Sequence, residues 1–186
     1  PLFQVIKNPG SYNSQIGVPL SLWYMNKQHT LGIFEAGISM PGEMQSLARM
    51  IHPDIGIFTM IGDAHGENFS SVEQKIREKL QLFHSCHTLI YCSDHQAIHE
   101  VIRTYEPLRG IRFFTWSATQ DANVRILSKR KLAGKTQLQV QANVLFEVNI
   151  PFTDEASVEN AMHCIAAMIL LGVPTDEIIH AVSGLQ

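Results

Sequence analysis

The sequence predicts an α/β fold: a mostly parallel sheet covered by helices on both faces, with a small antiparallel β section near 121–152. Two patterns carry this expectation. Up to Asp121, short apolar runs (IGIFTMIG, HTLIYCSD, IRFFTWSA) alternate with amphipathic stretches, as in βαβ units whose strands are buried on both faces. After Asp121, NVRILSKRKLAGKTQLQVQANVLFEVNIPF alternates apolar and polar residues with period two, interrupted by turn formers, and reads as hairpins.

Taken in order, residues 3–6 can form a short strand, and NPGSYNSQIGVP is a polar, turn-rich loop feeding a helix near Leu20–Met25. HTLGIFEAG is an apolar run ending in Glu35 and Gly37, and a helix over 42–51 follows, with Pro41 suited to its start. His52-Pro53-Asp54 breaks that helix before the strand IGIFTMIG. A glycine-rich turn carrying Asp63 and His65 then leads into a helix that Ser70 and Glu73 would open as a capping box. Val72, Ile76, Leu80 and Phe83 form its apolar stripe, with Lys79 inside that stripe and Gln74, Lys75, Arg77 and Glu78 off it. HTLIYCSD ends at Asp94 before HQAIHEVIRTYE, and IRFFTWSA closes the alternating part. Near the end, DEASVENAMHCIAAMILLG is a helix capped by Gly172 with Pro174 beyond, and Thr175 caps a last short helix ending at Gly184.

Composition removes several functions. A net charge of −3 gives no footprint for nucleic acid or an anionic membrane, and Lys129-Arg130-Lys131 reads as a solvated hairpin end. No apolar run reaches the roughly 20 residues of a membrane helix. Three cysteines without a CxxC suit a reducing cytoplasm. The chain opens on Pro1 and stops just past a helix, so a piece of something longer is expected. Ala133-Gly134-Lys135-Thr136 echoes a phosphate-binding loop but lies between hairpin strands, and so reads as a turn. The histidines and cysteines of 84–99 match no standard zinc spacing. Trp23 and Trp116 are expected in the core.

In a parallel sheet, ligands bind beyond the carboxyl ends of the strands. Glu35, then Asp63 and His65, then Asp94 follow successive apolar runs, so topology would bring them to one sheet edge, a place for a hard cation beside a phosphate. Each has a structural alternative: Glu35 as a helix-terminal acid, His65 as a turn residue bonding a carbonyl, Asp94 as an N-cap. Lys79 either snorkels out of the core or is paired, neutralised or chemically altered, because a lone buried ammonium is costly.

SYNSQIGVP, IFEAGISMPGEM, TMIGDAHGENF, EKLQLF and ENAMHCIAAMILLGV, in this order over nearly the whole chain, resemble the central domain of the Mur ligases, the ATP-dependent amide-bond ligases of peptidoglycan synthesis. Within that family the likeness is to members that add D-Ala-D-Ala, of the form fused ahead of an alanine racemase. The resemblance implies a P-loop NTPase-like fold, with residues 1–186 as the middle domain of a cytoplasmic enzyme whose substrate-binding and C-terminal domains lie elsewhere in the same chain. It implies ATP and Mg2+ as cofactors, with UDP-MurNAc-tripeptide and D-Ala-D-Ala as substrates joined through an acyl phosphate. Pyridoxal phosphate would belong only to the fused racemase, and neither nucleic acid nor membrane insertion is expected. It assigns Glu35, His65 and a carbamylated Lys79 to the metal and to catalysis, and Asn160 to adenine. Asp94 is carried as a further nucleotide-site residue. Ser11, Asn13 and Ser14 are assigned to the loop facing the nucleotide-sugar peptide. Met60 and Glu159 depart from the residues many relatives carry. The phosphate-binding turn, ending Gly-Lys-Thr or Gly-Lys-Ser after a strand, is not in the sequence and is expected just upstream, so the isolated piece should be inactive. Two alternatives stand beside this: a folylpolyglutamate synthase-like ligase, and a non-catalytic scaffold.

Overall fold

A computed structural model describes residues 2–62 and 68–185. The chain divides into two compact units: 1–54, 61–86 and 101–109 form the first, and 55–60, 87–100 and 110–186 the second.

The first unit contains β1 (Val5–Lys7), α1 (Gly17–Trp23), β2 (Leu31–Ile33), α2 (Glu43–Ile51) and α3 (Val72–Leu80), the last continued by a 3-10 turn at Gln81–Phe83. β1 and β2 form their own parallel pair, Val5 opposite Leu31. Contrary to the expectation of one shared sheet edge, the run that ends in Glu35 therefore does not join the main sheet. α1 begins at Gly17, whose N–H is taken by the Ser14 hydroxyl at 3.2 Å. Trp23, expected in the core, is 85 % exposed.

α2 starts after Gly42, which is left-handed at φ 89°, so Pro41 precedes the helix instead of opening it. The amides there point at Glu78 of α3, whose Oε1 accepts from Gly42 N at 2.7 Å and Met44 N at 3.4 Å. α3 is capped one residue later than its sequence indicates. The Ser71 hydroxyl accepts from Gln74 N at 3.1 Å, and the Gln74 carbonyl oxygen reaches back to Ser70 N at 2.6 Å. A glutamine thus stands where the glutamate was expected, and Glu73 pairs with Arg77 on the surface. Ile76 and Leu80 are fully buried, whereas Val72, in the first turn, is exposed. Lys75 and Glu78, placed off the stripe by periodicity, are buried.

In the second unit, β3 (Ile55–Phe58), β4 (Thr88–Cys92), β5 (Arg112–Ser117), β6 (Val124–Leu132), β7 (Lys135–Gln141) and β8 (Leu145–Ile150) lie side by side in that order. The pairs from β3 to β6 are parallel and those from β6 to β8 antiparallel. This is the expected α/β arrangement, with the hairpins extending the parallel sheet through Trp116 opposite Val124. β4 is buried at every position, as an interior parallel strand should be. Only Ala133 and left-handed Gly134, at φ 71°, separate β6 from β7, so AGKT is a hairpin turn.

α4 (Gln96–Thr104) begins in this unit and ends in the first. α5 (Glu155–Leu170) packs on β4 and β5, and α6 (Thr175–Ser183) on β8. Met162, Ile165 and Ala166 of α5 join Trp116, Val124, Leu138 and Val148 in one core. α5 ends with Gly172 at φ 73°, Val173 N donating to Met168 O and Gly172 N to Ile169 O, both at 3.0 Å. That is the paired C-terminal motif the glycine was read to supply. α6 follows with Pro174, not Thr175, at its N-cap. Among the described residues, no helix is long and apolar enough to cross a membrane.

Candidate functional site

The loop after β1 and the segment after β2 are tied together by two asparagines. The Asn8 carbonyl oxygen accepts from Glu35 N at 2.7 Å, and its amide donates to Glu35 O at 3.3 Å and to Tyr12 O at 2.5 Å. Asn13 holds the other end of the same residue, its amide donating to Glu35 Oε1 at 2.6 Å, while its own carbonyl accepts from Gly37 N at 2.8 Å. A surface glutamate is thereby fixed in backbone and side chain, so ordering it for a ligand costs little further side-chain entropy.

Asn13, Ser14, Gly37, Ile38, Ser39, Gly62, Lys75 and Lys79 line a cavity of about 250 Å³ in this unit. Lys79 lies half-buried on it. Burial pushes its ammonium below the ordinary lysine range and the neighbouring Lys75 charge pushes the same way, while the Glu35 carboxylate pulls it partly back. Lys75 is more deeply buried and donates to Gly62 O at 2.7 Å. Periodicity had set Lys75 aside; its place four residues before Lys79, on the same helical face, was the signal available.

Glu35, Lys79, Asn13 and Ser14 thus belong to the first unit, and Asn13 and Ser14 share the cavity with Lys79. Ser11 is exposed in the turn before them. Asp63 and His65 lie outside the described residues. Among the described residues, no group of three His, Cys, Asp or Glu side chains could hold a metal ion.

In the second unit, Asp94 sits past the end of β4 and does not cap α4. Its carboxylate accepts from the Ser117 hydroxyl at 2.5 Å, the Thr119 hydroxyl at 2.6 Å and Ala118 N at 2.7 Å. Burial alone would raise its pKa, but these hydrogen bonds outweigh it and hold the acid below the ordinary aspartate range. Asp94 clamps the end of β4 to the turn after β5.

Beside it runs a polar chain that the sequence does not announce. His95 Nε2 lies 2.9 Å from both carboxylate oxygens of Glu159, and Trp116 Nε1 donates to His163 Nδ1 at 3.1 Å. His163 Nε2 faces Glu159 at 3.7 Å, too long for a hydrogen bond, and has no hydrogen-bond partner among the described residues. Burial pushes the Glu159 acid up, but the imidazoles of His163 and His95 outweigh that and lower it. Asp94, His95, Trp116, Lys129, Glu155, Glu159 and Met162 are among the residues around a second cavity of about 170 Å³. Asn160 is exposed on α5.

The family described as the Mur ligase middle domain matches residues 2–168. The UDP-N-acetylmuramoyl-tripeptide–D-alanyl-D-alanine ligase of Bacillus subtilis is 26% identical over 187 residues, covering 99% of this chain and 39% of that protein. A crystal structure of MurF from Acinetobacter baumannii superimposes with a TM-score of 0.89 at 21% identity, over 100% of this chain and 41% of that one. MurF from Thermotoga maritima, solved in complex with ADP, gives 0.82 at 21% identity, over 99% and 42%. The chain thus spans about two fifths of the length of these relatives, and the structural likeness at such identities speaks for the fold. With the family description running over nearly all of its residues, this chain belongs to the Mur ligase middle-domain family.

Proposed function

We propose that the chain is the ATP- and magnesium-handling middle segment of a cytoplasmic ligase that joins D-Ala-D-Ala to UDP-MurNAc-tripeptide. The names of its relatives supply the substrate class. The observation that carries the reading is the first-unit site, a glutamate pinned by two asparagines in the same unit as a lysine whose ammonium is destabilised.

The donor set fits a magnesium ion, which takes oxygen ligands. Glu35 offers a pre-oriented carboxylate. Lys79 offers no oxygen as an amine, but a lowered pKa leaves more of it uncharged and able to take up carbon dioxide as a carbamate. His65 of the Ala-His motif would complete the set. When bound, the ion neutralises charge on the transferring phosphoryl group. ATP phosphorylates the peptide carboxylate to an acyl phosphate, and the amine of the dipeptide displaces phosphate. Asn8 and Asn13 keep Glu35 in one orientation. The loop of Ser11, Asn13 and Ser14 meets the nucleotide-sugar peptide, Asn160 meets adenine, and Asp94 keeps the strand ends beneath the nucleotide rigid. The phosphates need a glycine-rich turn ending Gly-Lys-Thr/Ser between a strand and a helix; the Gly134-Lys135-Thr136 of this chain lies in a hairpin between two strands, so the turnover proposed is that of an enzyme that supplies such a loop.

Assay of that enzyme with UDP-MurNAc-tripeptide and, separately, a folate substrate separates the reading from a folylpolyglutamate synthase-like activity. Lys79→Ala should lower kcat by about 100-fold or more, with bicarbonate giving no rescue. Wild-type turnover by that variant would remove the lysine from the mechanism.

A further inference from the structure

The opening half of α5 borders a cavity, and polar contacts tie it to the strand ends. Glu155, Val158, Glu159 and Met162 line this space of about 170 Å³ together with residues that follow β4 and β5. Glu159 is flanked on the helix by buried Val158 and Met162, and its side chain is only 14% exposed. Two imidazoles face it. His95 Nε2, from the segment just after β4, lies 2.9 Å from both carboxylate oxygens. His163 Nε2, one turn along α5, lies 3.7 Å away. The indole N–H of Trp116 can only donate, so Nδ1 of His163 accepts, and the proton of the neutral ring sits on the nitrogen that faces Glu159.

An apolar residue at position 159 would pack beside Val158 and Met162 without the desolvation cost of a carboxylate. A half-buried carboxylate–imidazole pair therefore adds little net stability, and what it supplies is one defined geometry. His95 is itself well anchored: its neighbour Asp94 is clamped to the turn after β5 by Ser117, Ala118 and Thr119. The link from α5 thus runs through His95 to the ends of two parallel strands, the edge at which such sheets bind ligands.

We propose that Glu159 and His95 are a positioning pair for the nucleotide: gripped by His95, Glu159 sets the opening turns of α5, from which its neighbour Asn160 meets adenine. This rests on the reading of Asn160 as the adenine contact. The pair touches no part of the nucleotide; it acts through the backbone of α5 and through Asn160.

The test is calorimetric titration of the ligase that contains this chain, with ATP and, separately, with inorganic tripolyphosphate, which has the phosphates and no adenine. Glu159→Ala and His95→Ala should each raise the Kd of ATP by about tenfold and leave that of tripolyphosphate within about twofold of wild type. The double variant should add no more than about twofold, because both residues act through one contact. Glu159→Gln, which keeps an acceptor for His95, should stay within about threefold of wild type. If Glu159→Ala does not fold, Glu159→Leu takes its place with the same expectation. Unchanged ATP affinity in the alanine variants, with Asn160→Ala weakened, overturns the pair and leaves the adenine reading standing. Equal losses for ATP and tripolyphosphate, or effects that multiply in the double variant, assign the residues to general stability and overturn it equally. Wild-type ATP binding no tighter than that of tripolyphosphate, or undiminished in Asn160→Ala, overturns the adenine reading and this proposal with it.

Discussion

A Cβ at Gly17 would come within 2.6 Å of the Tyr12 carbonyl carbon and Cα, which are backbone atoms with little room to yield. The SYNSQIGVP loop therefore folds back over α1 only because position 17 has no side chain, and this loop also presents Asn13 to Glu35. Gly17→Ala should destabilise the protein by about 1–3 kcal/mol, read as a lower midpoint in urea unfolding. An unchanged midpoint would mean that the loop does not pack there. At the same scale, Asn8 hydrogen-bonds the backbone of Glu35 and Tyr12, and Lys75 that of Gly62. Neither residue type declares such a role in sequence, because the Glu35 and Gly62 backbone groups lie 27 and 13 positions away.

Between elements, Glu78 is the link that matters most in the first unit. It sits on α3, yet it satisfies the amides of Gly42 and Met44 at the start of α2, and its other oxygen accepts from Gln81 at 2.8 Å. α2 has no side-chain cap of its own, so its first turn depends on this borrowed carboxylate. Glu78→Ala should cost about 1–3 kcal/mol by leaving those donors unsatisfied, with hydrogen exchange accelerating first in the opening turn of α2. Uniform exchange along α2 in the variant would contradict a capping role. The C-terminal end of α5, by contrast, was readable from Gly172 and Pro174, since that end is closed by residues within a few positions of the helix. The strand β4 was legible for a similar reason: a short run with apolar Leu89–Cys92, set between amphipathic stretches, suits a strand buried on both faces.

At the scale of the whole molecule, the acids held below their ordinary range lie, among the described residues, in the second unit. Asp94 and Glu159 both titrate below their ordinary values of 3.8 and 4.5. A carboxyl with a depressed folded-state pKa stabilises fully above its unfolded value and loses that contribution as pH falls through the folded one. The melting temperature should therefore be insensitive to these groups above about pH 5 and fall below it, and Asp94→Asn and Glu159→Gln should each flatten the fall. A wild-type acid profile in both variants would show that neither carboxylate is tied down as the hydrogen bonds indicate. By itself the sequence determined the repeating local order: buried strands against amphipathic helices, hairpins after Asp121, and a family likeness borne by five short motifs. It could do so because side-chain periodicity and helix ends are written within a few residues. Tertiary structure alone decided that β2 pairs with β1 apart from the main sheet, that β6 continues the parallel strands, and that Lys75 and Glu78 turn inward. Strand partners, and the acceptors or donors that make a buried charge tolerable, come from distant parts of the chain, and no local pattern records them.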